Sequence, residues 1–507
     1  MIDLLGDATL PQVNGLTITA TLGVAAISLA LWTIVRPRNF PPGPRGLPVI
    51  GSLLDLNDNL EVVFQRWGKQ YGDIFGFKMG EHWMVALNHQ EVIKEALLKQ
   101  SVQFAGRPKL PSAYLATDGY KDIAFGMYDD TWKMHRKLGH TALRHFATGE
   151  PLQKLLSSTF LKLEVELAAT AGQPVDPKKL VSLLLNNIFS EMCFGKSFDM
   201  RDPKILRIME LNDEMNETLG LGFAEDVFSF LKYIPSQKRD VIRGIMHKTK
   251  SIVTEMIAAH KETRIQGEVN DIYHLLLDAQ AKAMAEDKNL EKLSDDRLLW
   301  TILDIFSAGI ETSTDTMSWA FALMTEHPEI AGRVRKEIDD VIGRDRIPVI
   351  GDRGSLPYTE ATLYEVVRFS SIAPVLLPHA TTCDTTLRGY TIPKGTTVFM
   401  NVHSMHFDPR EWKDPENFCP EHFLSEDGKV RDHPSSFMPF GAGRRVCLGE
   451  AVAKADLFLI FTWFMQNYTY SKVPGKESEC LTNMIPKLAG GRVLLPYEIV
   501  INKREYN

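Results

Sequence analysis

Cysteine is scarce in these 507 residues: Cys193, Cys383, Cys419, Cys447 and Cys480 have neither the even count nor the tight spacing of a secreted disulfide framework. That pattern implies reduced thiols facing a cytosolic compartment. A basic excess is also missing. The formal net charge is −7, which argues against a nucleic-acid partner, because chains that grip a phosphate backbone concentrate lysine and arginine on one face. The sequence has no internal repeat, no low-complexity tract and no block of like charge long enough for a disordered tail. It lacks a dinucleotide fingerprint, since Gly441-Ala442-Gly443 is followed by Val446 where G-x-G-x-x-G needs a glycine. A structural zinc site is missing too: Cys447 has no neighbouring Cys or His in its loop, and the pair His403 and His406 has no third ligand.

What is present is ordinary globular material, 44% hydrophobic and 24% charged, long enough to enclose a cofactor-sized cavity. Residues 16–35 carry no charge and are long enough to cross a bilayer as a helix. Asp3 and Asp7 precede them and Arg36, Arg38 and Arg45 follow, so the positive-inside rule places the rest of the chain in the cytosol. For a cleaved signal peptide the basic residues are on the wrong side. Next comes Pro41-Pro42-Gly43-Pro44-Arg45-Gly46-Leu47-Pro48, which stops any helix and favours stiff extended backbone. The expected division is a lumenal segment 1–15, a transmembrane anchor 16–35, a hinge 36–50 and one body over 51–507. Helical periodicity dominates that body, with strand-like runs at 74–78, 83–87 and 396–401, so the fold class is mainly α with a minor β region.

Two helices carry the functional argument. One is expected over 295–326, opened by Ser294 and two acidic residues and stopped before Pro328. Its interior holds Ala308-Gly309-Ile310-Glu311-Thr312-Ser313-Thr314, a stretch too poor in helix formers to be there for propensity. The other begins just after Cys447, where Phe440-Gly441-Ala442-Gly443-Arg444-Arg445-Val446-Cys447-Leu448-Gly449 delivers one cysteine to a helix N-terminus beside two arginines. Such a setting favours a thiolate, and amide N–H groups freed by Gly443 and Gly449 can point at the sulfur. A single thiolate suits haem better than zinc, but the residues alone leave haem ligation and a redox or nucleophilic cysteine both open.

The loop resembles the signature of the cytochrome P-450 superfamily, F-x-x-G-x-R-x-C-x-G, at Phe440, Gly443, Arg445, Cys447 and Gly449. The same family's landmarks occur in the same order at Trp132-x-x-x-Arg136, Ala308-Gly309-Ile310-Glu311-Thr312 and Glu365-x-x-Arg368, so the likeness runs from the proline-rich stretch to the last helix. This resemblance implies that fold with an N-terminal transmembrane helix, and haem b with Cys447 as axial ligand of the iron. A thiolate there favours breaking the O–O bond of dioxygen. It implies a proton-delivering acid–alcohol pair at Glu311 and Thr312. It also implies haem contacts at Arg107, Trp132, Arg136, His379 and Arg445 on the propionate side, with Phe440, Gly443 and Ala308 against the ring. The pair Glu365 and Arg368 would stabilise the core. One departure stands out: where the family has P-E-R-F this chain reads Pro420-Glu421-His422-Phe423, and histidine offers fewer donors and a titratable charge.

With no flavin domain of its own, a member of this family takes electrons from NADPH through a separate flavoprotein, the NADPH-cytochrome reductase of the endoplasmic reticulum, with a small b-type cytochrome as a second partner. Lys133, His135, Arg136, Lys137, Arg444 and Lys454 are candidates for the basic docking patch. Within the superfamily the likeness is greatest to the animal steroid 17α-hydroxylase/17,20-lyase group, through the segments 304–312 and 372–379. Aryl-hydrocarbon and drug-oxidising relatives share much of both. Glu311 leans toward the steroid group, as does the apolar run Val375-Leu376-Leu377 expected to line the pocket. Asn216 and Thr218, in a roof expected over 211–230, are candidates for a substrate oxygen. A broad-specificity monooxygenase of lipophilic compounds and a haem-thiolate isomerase or sensor remain as alternatives.

Overall fold

The computed structural model describes residues 21, 23–24, 35–147, 150–170, 172–219, 222–263, 271–286, 292–486 and 491–505. Ser294 opens the longest helix, Asp295–Glu326, by accepting from Arg297 N over 3.4 Å, and Pro328 starts the next helix, Pro328–Val341. At 32 residues the long helix extends about 48 Å, enough to cross the body. Its second half buries residues on every side, Met317, Trp319, Phe321 and Leu323 among them. A helix apolar all round must be enclosed by others, and this one packs on Pro177–Phe194, Pro357–Ser370 and Glu450–Asn467. The last of these is equally apolar around its circumference, with Phe458, Leu459, Ile460 and Phe461 all buried, and Trp463 stacks on Phe160 at 4.5 Å between centroids.

The β structure is minor: a small sheet of Pro174–Val175, Ile499–Lys503 and Tyr468–Lys472 packs on this helical core, and a larger one lies apart from it. Ile74–Met79 and His82–Leu87 pair antiparallel, the second pairs parallel with Thr397–Met400, and His379–Ala380 closes the four-stranded sheet. Phe64, Trp67, Phe75 and Phe77 fill the space between this sheet and the helix Leu60–Tyr71. The proline-rich stretch lies along the first strand. Gly76 N donates to Pro42 O over 2.7 Å, Arg36 donates to Gly43 O over 2.9 Å, and Phe40 is buried. The expected membrane span over 16–35 falls outside the described residues apart from 21, 23, 24 and 35; among the described residues no helix is long and apolar enough to cross a membrane.

Candidate active site

Cys447 sits at the end of a loop folded back on itself, its N–H donating to Phe440 O over 2.9 Å, just before the helix Glu450–Asn467. Gly443 has φ +71°, and a Cβ there would lie 2.0 Å from Leu97 O, so backbone approach alone demands glycine. Gly449 differs: a Cβ would meet nothing within 4 Å, and its contribution is the N–H it turns to the Cys447 sulfur. Neither arginine of the loop faces that sulfur. Arg444 is exposed, and Arg445 donates to Ala105 O, Ile123 O and Gly126 O over 2.9, 3.2 and 2.7 Å while lying 3.9 Å from the centroid of the Trp132 ring. The nearby cation is Arg136, which also donates to Val446 O.

Burial pushes the Cys447 thiol up, against the opposing pull of the Gly449 and Glu450 amides and of Arg136. The expected preference for thiolate is thus outweighed in the protein alone, because the sulfur is hemmed in by protein although it opens onto a cavity. Burial thus disfavours a free thiolate nucleophile, whereas coordination to a metal would deprotonate the thiol outright.

The cavity holds about 1440 Å³ of non-atom space, its mouth included, between the Cys447 loop and the long helix. Arg107, Arg136, His379 and Arg445 gather along it, whereas Trp132 is held behind Arg445 with its indole N–H on Ile123 O at 2.9 Å. Burial lowers Arg445 to about 9, with Arg107 and Arg136 adding like charge, and lowers Arg107 to about 10. Arg107 donates to Ala124 O, Leu377 O and Pro378 O over 2.8, 2.8 and 3.0 Å, all neutral acceptors. His379 is kept neutral, near 3, by burial and then by Arg107, with Nδ1 on Phe104 O at 2.6 Å. Three desolvated cations meeting mainly carbonyls are short of negative charge. A flat iron-centred ring that takes one sulfur ligand and carries anionic carboxylates fits this donor set and this cavity.

Across the cavity, Ala308, Gly309 and Thr312 of the long helix form the wall. A Cβ on Gly309 would lie 2.2 Å from the Phe189 ring, so close packing explains the glycine that propensity does not. Thr312 Oγ1 donates to Ala308 O over 2.9 Å, the bond helical threonines commonly make. Glu311 Oε1 accepts from Asn216; burial raises the Glu311 carboxyl and the Asn216 bond opposes this. Asn216 therefore meets the acid directly, while Thr218 turns back to Glu214 O at 2.6 Å within its own helix, Pro203–Leu219. One turn beyond Glu311, Asp315 pairs with Lys178 at 2.8 Å. Ile372, Leu376 and Leu377 line the cavity, but Val375 packs away from it against the aromatic cluster behind the sheet.

Sequence reasoning missed two buried acids here, Asp304 beside Asp122 and Asp456 beside Ser313. Asp304 accepts from the backbone of Ile123 and Ala124; burial, then neighbouring Asp122, pushes its carboxyl well above the usual range. Asp456, buried in the cavity wall, accepts from Ser313 Oγ at 3.5 Å and is raised likewise by burial. Asp304 was visible only as part of a motif, and nothing near Asp122 in sequence marks it. His135 is a correction: it is buried, with Nδ1 at 2.7 Å from Thr301 Oγ1 and Nε2 at 2.7 Å from Lys292 O, and belongs to no surface patch. Lys133, Lys137 and Arg444 are exposed, whereas Lys454 is half-buried and pairs with Glu450.

Glu365 and Arg368 are fully buried and paired through two bonds of 2.7 Å. His422 completes the cluster, with Nδ1 at 3.1 Å from Glu365 Oε1. His403 and His406 point into separate packing contacts, and among the described residues no group of three His, Cys, Asp or Glu stands ready for a metal ion.

A helical body with one cysteine under a cavity, cations along it and Thr312 on the long helix opposite is the architecture of a haem-thiolate monooxygenase. A sequence model described as Cytochrome P450 matches residues 41–494, and the chain belongs to that family, whose members use haem b and electrons delivered from NADPH by a reductase. The chain is 36% identical over 477 residues to the steroid 17-alpha-hydroxylase/17,20 lyase of Ictalurus punctatus, covering 92% of this chain and 90% of that protein. It is likewise 36% identical over 497 residues to that of Oryzias latipes, covering 94% of each. It is 34% identical over 481 residues to cytochrome P450 1A1 of Cavia porcellus, covering 91% of this chain and 92% of that protein.

Proposed function

We propose that this monooxygenase hydroxylates a steroid at carbon 17, with cleavage of the 17,20 bond as a second reaction. The observation that carries the reading is the 36% identity to steroid 17-alpha-hydroxylase/17,20 lyases over nine-tenths of the chain. Glu311 and the apolar wall of Ile372, Leu376 and Leu377 support it. The P450 1A1 relatives support a second reading, a broader oxidase of planar lipophilic compounds.

In this reading Cys447 would hold the haem iron. Arg107, Arg136, His379 and Arg445 would neutralise the propionates, with Trp132 bracing Arg445, and Phe440, Gly443 and Ala308 would pack against the ring. The haem supplies the activation of dioxygen. The protein's own part is proton management and exclusion of water. Glu311, whose burial favours the protonated form, would supply a proton, and Thr312, whose hydroxyl donates to Ala308 O in the resting structure, would turn into the cavity to deliver it. Apolar side chains keep bulk water away and orient a rigid lipophilic substrate.

Electrons arrive from NADPH-cytochrome reductase, with a small b-type cytochrome as an accessory donor, over the face bearing Lys133, Lys137 and Arg444. Residues 16–35 anchor the protein in the endoplasmic reticulum membrane, residues 1–15 lie in the lumen, the segment 36–50 joins anchor to body, and the catalytic body 51–507 faces the cytosol. The test is titration of the purified haem-loaded chain with progesterone or pregnenolone. A spin-state shift and product formation matched to NADPH and oxygen consumed are expected. A thiolate spectrum without steroid response, and with turnover of a planar aromatic instead, favours the second reading.

A further inference from the structure

Asp304 is an acid that the proton path does not use. It lines the cavity from the long helix, about two turns before Thr312 and roughly 12 Å from it along the axis. Its Oδ2 accepts from Ile123 N over 2.5 Å and from Ala124 N over 3.2 Å, which ties the segment before the helix Asp130–Ala147 to the long helix. Among the described residues Oδ1 has no hydrogen-bond partner. The side chain is only half-buried, and the space it meets is the cavity.

The neighbours decide where the proton sits. Asp122 lies beside Asp304, is 5% exposed, and accepts from Phe125 N over 2.8 Å. Burial raises both carboxyls, but Arg107 and Arg445 oppose the rise at Asp122, whereas the charge facing Asp304 is Asp122 itself. Arg136 and the neutral His379 line the same cavity. Two adjacent desolvated carboxyls do not both ionise readily. The negative charge therefore stays with Asp122 beside the arginines, and the proton with Asp304. Because Oδ2 already accepts two N–H groups, the hydrogen belongs on Oδ1, the oxygen left for the cavity.

We propose that Asp304 is a specificity-determining residue: as an uncharged carboxyl it donates a hydrogen bond from Oδ1 to a carbonyl oxygen at the end of the substrate remote from the reacting carbon. The proposal rests on the reading of the cavity as a site for lipophilic substrates and adds the oxygen they carry. Between apolar walls such as Ile305, Leu376 and Leu377, an O–H left without an acceptor weakens binding, so a ketone is favoured over the matching hydrocarbon. A rigid fused-ring ketone reacting beside Thr312 presents its far end to Asp304.

The test uses the haem-loaded full chain and two matched pairs of ligands, androstanone with androstane and fluorenone with fluorene. Affinities are read by equilibrium dialysis and by spin-state shift. At neutral pH wild type is expected to favour each ketone over its hydrocarbon about tenfold more strongly than Asp304→Leu does, the effect of one hydrogen bond. Asp304→Asn is expected to keep the preference, since its amide oxygen can take the two backbone N–H groups while its NH2 donates into the cavity. Should Asp304→Leu fail to load haem, infrared difference spectra decide: ketone binding shifts a protonated-carboxyl C=O band in wild type, and that band is missing from Asp304→Asn. Loss of the preference in Asp304→Asn, or ketone binding that shifts no such band, overturns the proposal. If the aromatic pair shows the expected pattern and neither steroid binds, the steroid reading falls and the role of Asp304 stands. If both pairs bind without that pattern, the role of Asp304 falls and the steroid reading stands. Binding of neither pair overturns both.

Discussion

Asn216 donates its side-chain N–H to Oε1 of Glu311, joining the helix Pro203–Leu219 to the long helix at the acid of the acid–alcohol pair. Glu311 is otherwise desolvated, and burial favours its neutral form. The bond therefore governs how readily the carboxyl gives up its proton. Asn216→Ala removes a donor to the charged form, so the Glu311 carboxyl rises further and the alkaline limb of the pH–kcat profile, where the acid form is lost, moves to higher pH. Profiles of wild type and variant with the limb at the same pH would show that Asn216 does not tune this acid.

Thr312→Ala separates chemistry from structure. The hydroxyl's bond to Ala308 O adds little to a helix, and alanine is the better helix former, so thermal stability should change by less than about 1 kcal/mol. Product per NADPH is expected to fall several-fold, with peroxide released in its place. Unchanged coupling would remove Thr312 from the proton path.

The haem-free protein offers a test of the cysteine's environment. Cys447 opens onto the cavity, but burial pushes its thiol up, so less thiolate is present at neutral pH than in a free cysteine. Iodoacetamide should alkylate it more slowly than exposed Cys383 at neutral pH, and the gap should narrow as pH rises through the elevated value. Faster labelling of Cys447 at neutral pH, read by peptide mass spectrometry, would show that Arg136 and the amides outweigh burial.

Arg368 sits at 0% exposure with both carboxylate oxygens of Glu365 on its guanidinium. Arg368→Leu leaves a buried carboxylate without its cation and frees the carbonyls of His406 and Pro415, a loss of about 3–5 kcal/mol. Little folded, haem-loaded protein should be recovered. Recovery at wild-type yield and melting temperature would show that His422 alone satisfies Glu365.

Much of this was legible in the sequence because its signals are local. Ser294, two acids and Pro328 bracket the helix Asp295–Glu326 at the ends expected from them, and the strand-like runs fall within a residue or two of Ile74–Met79, His82–Leu87 and Thr397–Met400. The pairing of those strands was not legible, since His82–Leu87 meets Thr397–Met400 across more than 300 residues of chain. The same limit applies to side chains. His135 read as surface charge because Lys133 and Lys137 flank it, yet the helix turns it inward onto Thr301, and Val375 read as pocket lining although it packs against the cluster that holds Phe64, Phe75 and Phe77. The acid pair Asp122 with Asp304 and the Ser313–Asp456 hydrogen bond arise from contacts over about 140 to 180 residues, which no short motif encodes.

Gly309 is where local preference and packing oppose each other most directly. Alanine in a helix interior is favoured over glycine by about 1 kcal/mol. Here its Cβ would lie 2.2 and 2.3 Å from two atoms of the Phe189 ring, a buried side chain of the neighbouring helix Pro177–Phe194 that also lines the cavity. Such overpacking costs about 1–3 kcal/mol, so Gly309→Ala should lower the melting temperature or leave it level, never raise it, while displacing Phe189 alters substrate affinity. Adding Phe189→Leu removes the ring edge and should bring the double variant above Phe189→Leu alone by the helix-propensity gain. Melting curves of the four proteins in the cycle check the sign. If Gly309→Ala alone proves more stable than wild type, the Phe189 ring has room to move and close packing is not the reason for the glycine.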